Sequence, residues 1–506
     1  MISRRDFLKL SSILSAGSVF PHFIGEPSKR LVDPGAPNIL IFVFDTWTAA
    51  NLSQYGYGRE TMPNFNRFLE RATVYHDHHA TGNFTTPGTA SLLTGTYPWT
   101  HRAMTINGSV IPEFESKNLF SLFEQYHRLG YSHNLLVNTL LKQFSKTMDH
   151  FVPSKELFIS NLMFSDFFKQ DNDTATVSRV RILDRDDDGY SNSLFLSSLY
   201  SRLKKDPNEE YADQFPLGLP QVEEDSESKF ILEDATNWMM GQMLEVPQPH
   251  LLYFHLLPPH APYHTRVDFV GRFEDQYQPV KKPSHRFGRW ETQEDMLKQR
   301  RQYDEFILYV DAEIGRLLDF MEDNNIFENS WVVFTSDHGE MFERGHIGHG
   351  SNMLFEPLTW VPLAISHPSQ KVRADVWERT SCVDLIPTLL KVTNRNIPAW
   401  LEGQVMPPFR DAPLDPQRPI FSMQARHTEQ FDPLEQVTLS IYKGDHKLIR
   451  YAGYPTLPDH VPLYELFNLK KDPDEIKDLT EKRPNIFGAL RDELLANLEL
   501  YDRPYR

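Results

Sequence analysis

Short, continuous runs of apolar residues recur along the chain and alternate with segments of helical periodicity. The clearest apolar runs are residues 38–44, 251–257, 331–335 and 361–365. Runs of this length without polar alternation are typical of parallel strands that are buried on both faces. Helical periodicity is clearest in residues 119–129 and 303–321. Strands that alternate with helices predict an α/β fold in which helices cover both faces of a sheet.

Changes in composition divide the chain into predicted units. Residues 36–395 contain the apolar runs and are expected to form the main domain. Within it, residues 157–225 are polar and acidic without steady periodicity, which predicts a surface insertion. Proline and acidic residues then lead to a smaller C-terminal unit, predicted at residues 417–506.

One short acidic stretch of the insertion is similar to the start of a calcium-binding loop. Residues 184–189 supply the acidic positions and the glycine, but the twelfth position of such a loop is Phe195 here. Because calcium loops need a bidentate glutamate at that position, a solvated acidic turn is the better prediction.

The N-terminal segment has the pattern of a targeting signal. Two consecutive arginines, Arg4 and Arg5, precede a mildly apolar stretch at residues 10–24. This pattern predicts a twin-arginine signal over residues 1–30, with the twin-arginine translocation machinery as partner. The folded protein would then be exported to the periplasm, the cell surface or the exterior. The stretch is short for a membrane span, and both cleavage and retention as an anchor stay open. No other run of about 18 apolar residues follows.

Charge and cysteine content narrow the function classes. The 506 residues include 69 Asp plus Glu against 52 Lys plus Arg, a formal net charge of -17. A surface this acidic argues against nucleic acid as a partner, since binding the phosphate backbone requires a basic footprint. A small anionic substrate remains compatible, because a bound cation reverses the local field. The single cysteine, Cys382, excludes a disulfide within the chain and a thiolate metal cluster.

Polar residues gather where the predicted strands end. Asp45 follows the first apolar run, and Asp337 with His338 follows the third. Ligands of open α/β sheets bind at the carboxyl ends of strands, so these three side chains are expected to share one divalent cation. Taken singly, each has a simpler explanation as a helix cap, a turn or a salt bridge.

A threonine-rich segment supplies the candidate nucleophile. Pro87 suits an early helical position and Gly95 a helix end, which predicts a helix that begins at Thr85 or Thr86. Helix N-termini favour anions. A hydroxyl at that place, next to a cation, can ionise and attack a phosphoryl or sulfuryl centre. The alternative is an N-cap threonine with no further role.

In combination, these motifs resemble the sulfatase family of the alkaline phosphatase superfamily, over nearly the whole chain after Pro37. The matching motifs occur in the family's order: Phe42-Val43-Phe44-Asp45-Thr46, Thr85-x-Pro87 with Leu92-Leu93-Thr94-Gly95, Pro259-His260-Ala261-Pro262-Tyr263, Ser336-Asp337-His338-Gly339, and Gly348-His349-Gly350. The resemblance implies an alkaline-phosphatase-like, mostly parallel sheet sandwiched by helices, with a smaller C-terminal α+β subdomain. It also implies an enzyme that hydrolyses a small anionic ester.

The resemblance assigns roles residue by residue. One divalent cation (Ca, Mg, Mn or Zn) would be held by Asp45, Thr85, Asp337 and His338. Catalysis would use Thr85, His260 and His349, and substrate binding would use His260, His349 and Asn83. Relatives with two metals place an aspartate four residues before the substrate histidine, where this chain has Leu256, with His255 beside it. A single metal is therefore expected.

Two positions depart from the family pattern. Sulfatases carry Cys or Ser at the nucleophile and an arginine four residues later, whereas this chain has Thr85 and Thr89. Threonine cannot be converted to formylglycine, so the aldehyde that expels sulfate is missing. A phospho-threonine can be hydrolysed in line by water, which favours a hydrolase of phosphate mono- or diesters with a Thr nucleophile. The alternatives are a sulfuric ester hydrolase without formylglycine and a non-catalytic binding member.

A histidine-rich tetrapeptide offers another possible metal site. His76-Asp77-His78-His79 lies upstream of the nucleophile on a predicted strand. Alternate residues of a strand point to opposite faces, so a structural role is predicted for this cluster.

Overall fold

The computed structural model describes residues 35–159, 207–222, 228–458 and 461–506. The predicted twin-arginine signal (1–30), the acidic turn at 184–189 and much of the predicted insertion lie outside these residues. The strands are β1 Asn38–Phe44, β2 Thr73–Tyr75, β3 His78–His79, β4 His127–Ser132, β5 His150–Val152, β6 His250–Leu256, β7 Ser330–Thr335, β8 Met341–Glu343, β9 His346–Gly348, β10 Leu363–Ser366, β11 Ala374–Val376, β12 Thr380–Ser381, β13 Ile420–Gln424, β14 Val437–Lys443, β15 His446–Ala452 and β16 Leu463–Asn468. The α-helices are α1 Pro63–Leu69, α2 Thr85–Thr94, α3 Pro98–His101, α4 Leu119–Leu122, α5 Leu135–Gln143, α6 Pro207–Glu210, α7 Leu232–Glu245, α8 Gln293–Asp323, α9 Glu356–Thr359, α10 Leu385–Val392 and α11 Pro484–Asp502.

An eight-stranded sheet in the order β11-β2-β10-β7-β1-β6-β4-β5 forms the centre of the main domain. Strands β7, β1, β6, β4 and β5 are consecutive and parallel. Alternate residues of β1 enter different cores: Leu40 and Phe42 face α1, α7 and α8, whereas Ile39 and Ile41 face α2, α5 and α10. Helices therefore cover both faces, which confirms the predicted α/β sandwich and explains the continuous apolar run of β1.

The fourth apolar run forms a strand, but its direction differs from the prediction. Strand β10 is antiparallel to β7, and Leu363 at its start pairs with Thr335 at the end of β7. The connection between the two strands stays at the end of the sheet where β7 finishes. Strand β10 therefore starts at that end and runs back in the opposite direction. The parallel direction that the apolar run suggested is wrong for this strand, while the sheet as a whole is mostly parallel, as predicted.

The helix expected over residues 119–129 is largely replaced by a strand. Helix α4 ends at Leu122, and β4 begins at His127 and pairs with β5 and β6. The sheet supplies the backbone hydrogen bonds, and tertiary pairing overrides the weak helical periodicity.

The C-terminal part forms an antiparallel sheet in the order β13-β14-β15-β16, against which α11 packs through Leu490, Leu494 and Leu498. This arrangement confirms the α+β subdomain. Strand β13 is attached to the segment before the candidate nucleophile, because Met423 N donates to Thr81 O at 2.8 Å and Ser422 Oγ to Ala80 O at 2.6 Å. Of the helices in the described residues, none combines the length and apolar character needed to cross a bilayer.

Candidate active site

Two buried aspartates lie at the carboxyl ends of the central strands. Asp45 follows β1, and its amide donates to the Leu256 carbonyl oxygen at 3.0 Å. Asp337 follows β7 by two residues. The intervening Ser336 ties the two strand ends together, since its Oγ accepts from Trp47 N at 3.0 Å and lies 2.7 Å from the Phe44 carbonyl oxygen. The adjacent parallel strands thus bring both carboxylates to one place.

The nucleophile helix begins beside these carboxylates. Thr85 is the first residue of α2, and its Oγ1 lies 3.5 Å from Asp45 Oδ2 and 3.4 Å from His338 Nε2. The helix approaches so closely that a Cβ on Gly88 would lie 2.2 Å from the Asp337 carbonyl oxygen. Glycine is therefore required at this contact. The structure thus brings together Asp45, Thr85, Asp337 and His338, the four residues assigned to the metal from the sequence.

The electrostatics of the two carboxylates favour a positive charge between them. Asp45 and Asp337 are 0 % exposed, and they offer oxygen atoms within 4.8 Å of each other. Burial, and then the charge of Asp45, raise the pKa of Asp337 well above its usual value. Burial also opposes ionisation of Asp45, but the neighbouring imidazoles of His255 and His338 outweigh it and lower the pKa of Asp45 well below its usual value. A divalent cation between them would stabilise both as carboxylates.

Two imidazoles complete this donor set. His338 Nδ1 lies 3.0 Å from the Gly339 carbonyl oxygen, so Nδ1 carries the proton and Nε2 presents a lone pair. His338 Nε2 lies 3.3 Å from Asp45 Oδ1. His255 Nε2 is buried without a hydrogen-bond partner and lies 3.7 Å from an oxygen of each aspartate. Orphaned donor atoms beside two buried carboxylates fit a metal ion, so His255 joins Asp45 and Asp337 as a candidate ligand.

His260 and His349 form the other wall of the site. Their ring centroids are 4.8 Å apart, and the His349 ring lies 4.6 Å from the His338 ring. His349 Nδ1 lies 2.9 Å from Glu340 Oε1, and Tyr263 donates to Glu340 Oε2 at 3.1 Å. Burial opposes the charge of Glu340, yet His349 outweighs that effect and lowers the pKa of Glu340. A carboxylate that orients an imidazole in this way fixes the ring for proton transfer, as a general acid requires.

The pKa of His260, the other imidazole of this wall, is also lowered. Burial lowers it from the usual value, and the neighbouring His349 adds to the effect. His260 Nδ1 lies 2.5 Å from the Ala261 carbonyl oxygen, which leaves Nε2 as a lone-pair site on a neutral ring.

Asn134 contacts both the candidate nucleophile and a candidate ligand. Its Nδ2 donates to Asp45 Oδ2 and lies 3.3 Å from Thr85 Oγ1, while its Oδ1 accepts from Leu136 N as the N-cap of α5. Thr89, at the position of the family's arginine, donates to Asp337 Oδ2 at 3.2 Å. Asn134 therefore fixes the relative positions of Thr85 and Asp45.

Asn83 is placed differently from the other predicted residues. Its Nδ2 donates to the carbonyl oxygens of Ser351 and Met353, at 2.7 Å and 2.6 Å. These bonds tie the residues before the nucleophile to the loop after His349. Both amide hydrogens are engaged, whereas Oδ1 is buried without a hydrogen-bond partner, and the contact between Asn83 and substrate stays a prediction.

The histidine-rich tetrapeptide makes internal contacts. His78 Nδ1 lies 2.9 Å from Thr380 Oγ1, and His79 Nε2 lies 2.6 Å from Asp77 Oδ1. This agrees with the structural role predicted for the cluster.

Sequence reasoning missed the contributions of His255, Asn134 and Glu340. His255 is near the end of β6, so the strand-end rule that pointed to Asp45 could also have pointed to it. Asn134 follows β4 and was missed because that strand was predicted as a helix. Glu340 lies in a recognised motif, but only the folded loop shows that it bonds to His349.

The chain matches a known family over most of the main domain. Residues 37–395 match the family described as Sulfatase. A multifunctional alkaline phosphatase superfamily protein of Trinickia caryophylli is 23% identical over 502 residues, which cover 87% of this chain and 91% of that protein. Arylsulfatase K of Gallus gallus is 22% identical over 307 residues, or 54% of this chain. The chain matches about half the length of that relative, 56%.

Solved structures show the same fold. The phosphonate monoester hydrolase of Agrobacterium radiobacter has a TM-score of 0.66 and 17% identity, with 92% of this chain and 96% of that chain covered. The phosphonate monoester hydrolase of Silicibacter pomeroyi has a TM-score of 0.64, 17% identity and the same coverage of both chains, 92% and 96%. These similarities confirm the alkaline-phosphatase-like architecture.

Proposed function

The chain belongs to the sulfatase family of ester-bond hydrolases, and from this premise we propose that it hydrolyses phosphate mono- or diesters with Thr85 as nucleophile. The observation that carries the proposal is the position of the Thr85 hydroxyl at a helix N-terminus, 3.5 Å from Asp45 and 3.4 Å from His338. An unmodified alcohol is suited to a double displacement at phosphorus, whereas sulfatases depend on an aldehyde that threonine cannot form. Phosphonate monoester hydrolases among the structural neighbours support the same preference.

The proposed cofactor is one divalent cation. Asp45, Asp337, His338 and the Thr85 oxygen would hold it, and His255 is added as a ligand that the sequence prediction omitted. Imidazole ligands in addition to carboxylates favour Zn or Mn over Ca and Mg. When bound, such a cation lowers the pKa of an adjacent alcohol and shares the negative charge of the transferred group.

The side chains then divide the reaction into two displacements. Thr85 Oγ1 enters and leaves the cycle as the alkoxide, and it attacks phosphorus while the bond to the leaving oxygen breaks. His349, held by Glu340, donates a proton to that oxygen. Water next attacks the phospho-threonine in line, gives its proton to His349 and releases Thr85. The sum is one ester and one water converted to one alcohol and one phosphate product. His260 lies beside His349 and would contact the transferred group through its Nε2.

Three esters with a common leaving group test the proposal. We expect the metal-loaded protein to hydrolyse 4-nitrophenyl phosphate or bis(4-nitrophenyl) phosphate but not 4-nitrophenyl sulfate. Turnover of the sulfate alone would favour the second candidate, a sulfuric ester hydrolase, which the similarity to arylsulfatase K suggests. Absence of both metal and turnover would favour a binding protein.

A neighbouring threonine offers a matched control for the nucleophile. Thr85→Ala should abolish turnover while the protein stays folded. Thr86 is the next residue of α2, and its hydroxyl is buried without a hydrogen-bond partner, so Thr86→Ala should remain active. The opposite pattern would assign the role to Thr86.

We also propose that the protein is exported through the twin-arginine route. The support is the Arg4-Arg5 pattern at the start of the sequence. Replacement of both arginines by lysine should retain the protein in the cytosol. Unchanged export of that variant would contradict the proposal.

A further inference from the structure

An arginine from the C-terminal subdomain lies beside the candidate active site. Arg426 follows β13 by two residues, and its Nη1 donates to the Gly350 carbonyl oxygen at 2.6 Å. Gly350 follows His349 directly, and its amide donates to the Asn83 carbonyl oxygen at 2.9 Å. Arg426 is therefore attached to the loop that joins His349 to the residues before Thr85.

The space around Gly350 indicates how close this guanidinium comes to the nucleophile. Gly350 has a φ of +65°, and a Cβ on it would lie 3.4 Å from Arg426 Nη1 and 3.7 Å from Phe84 Cβ. Phe84 immediately precedes Thr85. Arg426 thus lies at the rim of the site, across Gly350 from the first residue of the nucleophile helix.

Arg426 is half-buried and keeps donors free for a ligand. Besides the bond to Gly350, its Nε contacts His427 Nε2 at 3.2 Å, which leaves most of its five N–H groups unassigned. Among the described residues, no carboxylate lies within ion-pair distance of Arg426. Acidic residues are abundant in this chain, since 69 Asp and Glu accompany 52 Lys and Arg. Other partly buried arginines form ion pairs with them, as Arg418 does with Asp384 at 2.6 Å.

A second arginine belongs to a loop that is attached to the β8–β9 hairpin, which immediately precedes His349. Arg289 is exposed on a loop that Glu291 attaches to the β8–β9 hairpin, through a bond from its amide to the Gly345 carbonyl oxygen at 3.1 Å. His346 of that hairpin is buried, and burial together with Arg289 lowers its pKa to about 4, with Arg426 adding to the effect. His346 is therefore neutral at pH 7 and adds no positive charge beside the two arginines.

We propose that Arg426, assisted by Arg289, forms an anion subsite at the mouth of the active site. The subsite would bind a carboxylate, sulfate or phosphate substituent of the substrate that lies outside the transferred group. This inference rests on the proposed function for the identity of the transferred group. It names the substrate class more narrowly, as a phosphate ester that carries a second anionic group.

Two phosphonates that differ by one carboxylate test the subsite without any turnover. Calorimetry of the metal-loaded protein would compare methylphosphonate with phosphonoacetate. Arg426→Met keeps the length of the side chain and removes its charge. We expect it to weaken phosphonoacetate binding by about 10-fold or more, the size of one charge-assisted contact, and to change methylphosphonate binding less than twofold. Chelation of the metal by the extra carboxylate is common to both proteins and cancels in this comparison.

Three further variants separate charge from structure. Arg426→Lys should restore part of the phosphonoacetate affinity. Arg289→Met should cause a smaller loss of phosphonoacetate affinity, and this loss should disappear at high salt. Arg491 lies on α11, where it pairs with Asp492 at 2.8 Å, so Arg491→Met should change neither affinity. Equal losses for both phosphonates in Arg426→Met would place Arg426 on the transferred group and overturn the subsite. Unchanged affinities would also overturn it. The three-ester assay decides separately whether the proposed function is correct.

Discussion

Replacement of Asp337 by asparagine should change the stability of the protein in opposite directions with and without metal. Asp45 and Asp337 are fully buried, and their oxygen atoms lie within 4.8 Å of each other. At an effective dielectric constant of about 20, two unit charges at that distance repel by about 3.5 kcal/mol. This is an upper limit, because Asp337 can take up a proton when its pKa is raised. We therefore expect metal-free Asp337→Asn to unfold with a free energy about 1–3 kcal/mol higher than wild type.

With saturating metal, the wild-type protein should instead be more stable than Asp337→Asn. A cation at 100 times its dissociation constant stabilises the wild-type protein by about 2.7 kcal/mol, and the variant lacks one carboxylate ligand. Urea titrations in chelator and in excess metal measure both values.

A buried carboxylate outside the site provides the control. Asp384 pairs with Arg418 at 2.6 Å and is 0 % exposed, so Asp384→Asn should destabilise the protein equally with and without metal. The same behaviour in Asp337→Asn would refute the metal assignment.

Three further predictions concern single side chains. His255→Gln should weaken metal affinity at least 10-fold in chelator competition, whereas His250→Gln at the other end of β6 should not; equal affinities would remove His255 from the ligand set. Asn134→Leu removes the N-cap of α5 and should cost about 1 kcal/mol of stability, and it should also lower kcat. Asn134→Ser should recover the stability but not kcat. Recovery of both would show that the contact with Thr85 is unimportant. Burial lowers the pKa of His78 and His101 to about 3, below the 6.5 of the unfolded chain, so stability falls as pH drops below 6.5. Replacing both histidines by glutamine should reduce this slope by about 2.7 kcal/mol per pH unit between pH 6 and 4, and an unchanged slope in urea titrations would contradict the assignment.

The fold class was predictable because its main determinants are local in sequence. The apolar run of β1 and the stripe of α8 define buried elements without reference to the rest of the chain. The direction of β10 was not predictable, since it depends on where the chain travels after β7. Residues 119–129 were misassigned for a related reason, because their strand hydrogen bonds come from β5 and β6.

The residues of the candidate site were predictable or not for the same reason. Asp45, Asp337 and His338 were identified because each lies within three residues of the end of a recognisable strand. His255 is the last residue but one of β6, and its proximity to both aspartates depends on the register between β1 and β6. Arg426 comes from a different subdomain, and only the bond to Gly350 reveals that it lies beside the site. Contacts of this kind depend on tertiary packing, which no single motif encodes.

The stereochemical course at phosphorus tests the covalent role of Thr85 most directly. The substrate would be a phosphorothioate diester of defined configuration, hydrolysed by the metal-loaded protein in isotopically labelled water. Two in-line displacements, first by Thr85 and then by water, each invert the configuration, so the account predicts net retention in the product. Net inversion would mean that water attacks the substrate directly, and it would contradict the proposed phospho-threonine intermediate.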